Sequence, residues 1–75
     1  MTNVYVEPRP KGRPEGTAIA DYVLEHANDA PVAGSKTSYV KQQDAIDDAK
    51  RLGYQPLVAH VRNTSKGNPD HWRKA

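Results

Sequence analysis

Only one stretch of this chain, "QQDAIDDAKRLGY", carries the 3.6-residue spacing of an amphipathic helix, and that fact limits every other choice. Ala45, Ile46, Ala49 and Leu52 gather on one side of such a helix, while Asp44, Asp47, Asp48 and Arg51 fall on the water side. Gly53 can take the left-handed conformation that ends a helix, and Lys50 and Arg51 offset the partial negative charge of that end. The spacing predicts a helix over residues 42–52. A single helix of this length covers one face of a sheet, so the remaining apolar residues must form strands that share that face.

The strand signals are two-residue alternations. In "NVYVEPRP", Val4 and Val6 point one way and Tyr5 and Glu7 the other, until the prolines stop the segment near Pro8. "RPKGRPEG" reads as an exposed loop. In "TAIADYVLEH", Ala18, Ala20, Tyr22 and Leu24 form the core row, with Ile19, Asp21, Val23 and Glu25 outward. "ANDAPVAG" supplies a reversal, and "SKTSYV" is expected to return as a third strand. After the helix, "QPLVAHVR" is expected to turn Leu57, Ala59 and Val61 toward the helix and Val58, His60 and Arg62 away from it. The expected architecture is a small α+β domain of order β-β-β-α-β, with one helix packed on one face of an antiparallel or mixed sheet. Residues 1–67 form the domain, and 68–75 form a C-terminal tail expected to dock through Trp72, with Pro69 restricting its approach.

With 75 residues, the chain supports one modest core that buries about 60% of the unfolded surface. It contains no cysteine, so disulfides, thiolate chemistry and cysteine zinc sites are excluded. No apolar run approaches the roughly 20 residues that span a bilayer, which predicts a cytoplasmic protein without a membrane partner. A net charge of +2 is mildly basic, with cations concentrated toward the two ends and Asp44, Asp47 and Asp48 between them.

The run "QQDAIDDAKRLG" followed by the strand "QPLVAHVR" resembles the DUF2188-like family of small bacterial proteins, in which a hairpin or meander precedes an alanine-containing helix and a final strand. The resemblance covers residues 3–62. It differs in the expanded "PRPKGRPEG" turn and in the tail "GNPDHWRKA". It implies a fold and no activity, and no functional residue is carried over from it.

Chemistry-bearing residues are sparse. His26, His60 and His71 match no metal-ligand spacing and fit surface roles; a composite of His60, Asp70 and His71 would require the tail to fold back over the sheet. Ser35, Ser38 and Ser65 lack a nucleophile elbow. "KGRPEG" and "SKGNPDHW" lack the full phosphate-binding fingerprints. No metal, no cofactor and no enzymatic activity are therefore expected. The leading expectation is a structural or protein-interaction module, homodimeric or with another protein, using an uncovered sheet face of Tyr5, Ile19, Val23, Val58, His60 and Arg62 together with Trp72. The alternative is nucleic-acid binding through Arg9, Lys11, Arg13, Arg62 and Lys66, with Tyr5 and His60 as stacking groups. Asp21 and Glu25 oppose that alternative, because they place negative charge on the same row.

Overall fold

The computed structural model describes residues 2–75. Its elements are β1 (Asn3–Arg9), β2 (Asp21–Glu25), α1 (Gln42–Arg51), β3 (Gln55–Ala59), a 3-10 turn at Pro69–His71 and β4 (Trp72–Lys74). The strands make one mixed sheet of order β2-β1-β3-β4, with β1 antiparallel to β2, parallel to β3, and β4 antiparallel to β3. The protein is thus a small α+β domain with one helix against one face of a four-stranded mixed sheet. The segment 35–40 joins the β2 edge through one bridge, Tyr22↔Tyr39, and the fourth full strand comes from Trp72–Lys74. Tyr39 explains the short pairing: its ring is sunk in the core and its hydroxyl accepts from Lys36 N at 3.0 Å, which holds the preceding residues in a bend.

Helix α1 buries Ala45, Ile46 and Ala49 against Val4, Val6, Leu24 and Val58, with Leu52 and Tyr54 closing the margin. Its end is a Schellman motif: Tyr54 N donates to Ala49 O and Gly53 N to Lys50 O, both at 3.0 Å, with Gly53 at φ 89°. Asp48 is less exposed than its place on the polar side suggests, because the Tyr39 hydroxyl donates to it and Arg51 pairs with it at 2.6 Å. Those contacts hold its carboxyl below the usual range, and burial followed by the Asp48 bond pushes the Tyr39 hydroxyl up.

Proline is tolerated in β1. Pairing with β3 ends at Val6↔Val58, so Pro8, further along, interrupts no ladder bond on that side and the strand continues to Arg9.

β3 presents the opposite row to the helix from the one expected from its sequence. Parallel register places Pro56 beside Val4 and Val58 beside Val6, and neighbouring residues in a sheet share a face. Val58 is therefore a core residue on the helix side, 3% exposed, while Leu57 and Ala59 face the other way. Both rows of this strand are apolar, so alternation alone could not orient it.

That second face is not bare. The connection between β3 and β4 crosses it, with Thr64 Oγ1 donating to the buried Glu7 and Lys66 Nζ reaching Glu25 Oε1 at 3.0 Å, His26 O at 3.0 Å and Asp29 Oδ1 at 2.5 Å. Val23 is buried on this face. Among the described residues, no helix is long and apolar enough to cross a membrane.

Candidate functional site

The sheet register brings Tyr5, Leu57, Trp72 and Lys74 to the face opposite α1, in the pairs Tyr5↔Leu57, Leu57↔Lys74 and Ala59↔Trp72. Tyr5 and Trp72 meet edge to face, with ring centroids 4.8 Å apart and an interplanar angle of 79°. The indole N–H donates to Ser65 O at 3.0 Å, which satisfies the polar end of a ring that is otherwise buried. Lys66 Nζ lies 5.5 Å from the Tyr5 ring centroid.

The entry into β4 is built locally. The Asn68 side chain accepts from Asp70 N at 3.0 Å, and Pro69 sits at the first position of the turn, where its missing N–H is no loss. His71 Nδ1 accepts from Ser65 N at 3.0 Å, tying the turn to the crossing connection. The result is a groove of about 300 Å³ floored by Tyr5, Leu57, Pro69 and Trp72 and rimmed by Asn3, Lys66 and Lys74, with Arg73, whose Cβ leaves the other face of β4, at its outer edge.

This groove adjoins the sheet's bare edge. His60 N donates to His71 O at 2.7 Å and Ala75 N to Pro56 O at 3.0 Å, which fixes the alternation of the β3–β4 ladder. Arg73 therefore bonds inward to Val58, while the backbone groups of Trp72 and Lys74 point outward. Trp72 N is taken by Pro69 O. Trp72 C=O and both backbone groups of Lys74 remain for an added strand. The β2 edge is different: Tyr22 and Tyr39 exchange two bonds of 2.8 Å, and Val32 N donates to Leu24 O at 3.2 Å.

The charged residues divide in the same way. Arg9 grips Asp21 with two bonds of 2.7 Å, which raises the arginine and lowers the carboxyl. Lys11 pairs with Glu25 at 2.6 Å. Burial would lower Lys66, but its bonds to Asp29 and Glu25 outweigh that and raise it, while Lys66 lowers Asp29. Arg62 is buried; its backbone N donates to Glu15 at 2.7 Å and its Nε to Thr17 O at 3.0 Å, joining the 60–68 connection to the loop before β2. Its Nη1 is buried without a hydrogen-bond partner. Arg73 and Lys74, by contrast, are exposed and form no ion pair among the described residues.

Of the expected interface, the structure unites only Tyr5 and Trp72. Val23 lies beneath the connection, Val58 lies on the opposite face, Arg62 is buried, His60 is exposed beyond the end of β3, and Ile19 is 43% exposed in the loop before β2. Of the expected nucleic-acid set, Arg9, Lys11, Arg62 and Lys66 are engaged internally and Arg13 is exposed. His60 and Tyr5 do not share a face, since His60 continues the Val58 row. Asn3, Leu57, Pro69, Arg73 and Lys74 line the groove but fall outside both expected sets, although a capped Asn-Pro turn before the apolar-basic "WRK" is a legible signal for a short edge strand. Among the described residues, no group of three or more His, Asp or Glu side chains could hold a metal ion.

A larger cleft of about 360 Å³ lies beside α1, but Tyr39, Asp48 and Arg51 in its wall are already bonded to one another. Comparison of the chain with family models, curated proteins and solved structures finds no match.

Proposed function

We propose that the protein is a small interaction module that takes an extended partner segment along the β4 edge and the groove beside it. The observation that carries this reading is the coincidence of three outward backbone groups with an aromatic-floored groove, at the edge opposite the one closed by Tyr39. An added strand would gain main-chain bonds, and its alternate side chains would enter the groove. The proposed interface thus moves from Val23 and Val58, which serve the interior, to Tyr5, Leu57, Trp72 and Lys74. DUF2188-like membership, proposed from the sequence, implies no activity and is neutral toward this surface.

A second copy of the chain is the less favoured occupant. Pairing β4 with itself would bring Arg73 and Lys74 close to their own copies, and like charges across strands are destabilising. Single-stranded nucleic acid is a second reading, favoured by the aromatic floor and cationic rim. It is weakened because four of the five cations first assigned to it have internal roles.

Selection of random twelve-residue peptides displayed on phage tests the interaction reading. Enriched peptides should compete with one another and shift the amide resonances of Leu57, Trp72 and Lys74. Absence of enrichment, or enrichment of peptides that perturb only other surfaces, would overturn it.

A further inference from the structure

We infer that the partner segment is an acidic peptide that adds to β4 as a fifth strand, with two consecutive carboxylate residues; this rests on the β4 surface proposed above. Arg73 and Lys74 are adjacent in sequence, so their side chains leave opposite faces of the sheet. Lys74 shares the groove face with Leu57 and Trp72, while Arg73 is on the helix side beside Val58. A strand laid along this edge also alternates. The residue beside Lys74 projects to the groove face and its neighbour projects to the Arg73 face, so matching both cations requires adjacent acids. This holds for either strand direction.

The charge pattern makes the match specific. Other cations near this face are already committed, Lys66 to Glu25 and Asp29 and Lys11 to Glu25, whereas Arg73 and Lys74 are exposed without an ion pair among the described residues. They repel a second basic edge, including that of another copy, and favour an anionic one. Two residues from the acid that meets Lys74, the next groove-facing side chain comes over Trp72 and Pro69 and should be apolar. Exposed Asp70 precedes this point, so further acids in that direction are disfavoured. The recognised class is therefore an extended segment with an acidic pair and an apolar residue two positions from one of its acids.

The test uses the full chain and eight-residue peptides of alternating valine and threonine around a central Glu-Asp pair, with Gln-Asn and Lys-Lys counterparts. Trp72 emission and amide shifts of Trp72 and Lys74 report binding. Two modest, salt-screened ion pairs should make the acidic peptide about tenfold tighter than the amide form. Added salt should erase much of that difference, and R73E/K74E should reverse the preference toward Lys-Lys. Two complementary N-methylated series, blocking alternate residues, separate strand addition from loose adsorption: one series should bind and the other fail.

Equal binding of the acidic and amide peptides at β4 would overturn the acidic specificity while leaving the interaction reading intact. So would phage-selected ligands that occupy β4 but carry no acids. Binding by both methylated series would overturn strand addition. Tighter groove binding of a single-stranded oligonucleotide than of the acidic peptide would replace the peptide with nucleic acid. If no peptide in either experiment perturbs β4, both the inference and the interaction reading fall.

Discussion

Replacing Lys66 with alanine should loosen the cover over the sheet's second face without touching the helix-side core. Lys66 Nζ binds Glu25 at 3.0 Å, His26 O at 3.0 Å and Asp29 at 2.5 Å, so truncation removes three charge-assisted bonds. They do not contribute equally. The Asp29 side chain is 71% exposed and screened by water, and Glu25 retains Lys11 at 2.6 Å. The main losses are the shielded bonds to Glu25 and the His26 carbonyl, together with the stem near Tyr5, which gives an expected cost of about 2–3 kcal/mol. For a domain of 75 residues this corresponds to a fall in Tm of about 10–20 °C. Lys66→Met, which keeps most of the stem, should cost about 1 kcal/mol less than alanine.

Urea unfolding followed by Trp72 emission measures both variants, with far-UV circular dichroism as a second probe. The pH dependence has a defined sign. Lys66 is raised in the fold, so its contribution is fully present below the ordinary lysine value of 10.5 and is lost as pH rises through the higher folded value. Asp29 is lowered, so its part is present above 3.8 and is lost as pH falls through the lower folded value. The Lys66 variants should flatten both limbs. An alanine variant within about 0.5 kcal/mol of the parent would refute the view that Lys66 fastens the connection.

Val58→Asp should unfold the isolated chain, at a cost above about 3 kcal/mol, because it places a carboxylate in the helix-side core; a folded variant by circular dichroism would put Val58 elsewhere. Ile46→Ala should cost about 2–4 kcal/mol in urea unfolding, with the spread set by collapse of the space beneath α1. Gly53→Ala should cost about 1–2 kcal/mol in the same assay through backbone strain at φ 89°, since open space surrounds the added Cβ, and Gly53→Asn should cost less. Trp72 should emit toward the blue and resist iodide quenching; readily quenched, red emission would mean that β4 is detached in solution.

The helix was legible because its apolar spacing, its basic last turn and Gly53 agree. The β1 and β2 faces were legible for a related reason: Val4 and Val6 alternate with Tyr5 and Glu7, and Tyr22 and Leu24 with polar or smaller neighbours. β3 resisted because Pro56 and Val58 on one row are as apolar as Leu57 and Ala59 on the other, so its orientation came only from long-range register with β1. An apolar row on both sides is itself the mark of a strand covered twice. The cover was hidden in "NTSKGNPDHW", whose turn composition is that of an exposed loop; Lys66 and Thr64 hold it down through partners about 40 or more positions away, contacts that no local pattern records.

The same long-range contacts explain why most residues of the expected interface are scattered or buried while Tyr5 and Trp72 stand together. In so short a chain, cations placed over a sheet have a structural alternative to binding a partner: they can neutralise acids on that sheet. Asp21 and Glu25 on β2, with Asp29 in the turn that follows it, supply that alternative for Arg9, Lys11 and Lys66. Arg73 and Lys74 have no such use among the described residues, because β4 lies at the opposite edge from β2, with β1 and β3 between them. Their charges also suit the edge they occupy, since an exposed strand that displays cations on both faces resists pairing with copies of itself. Protection and recognition then follow from one arrangement. On the reading proposed above, a like-charged edge is refused, while an acidic strand would meet the three backbone groups, the two cations and the Tyr5–Trp72 floor together.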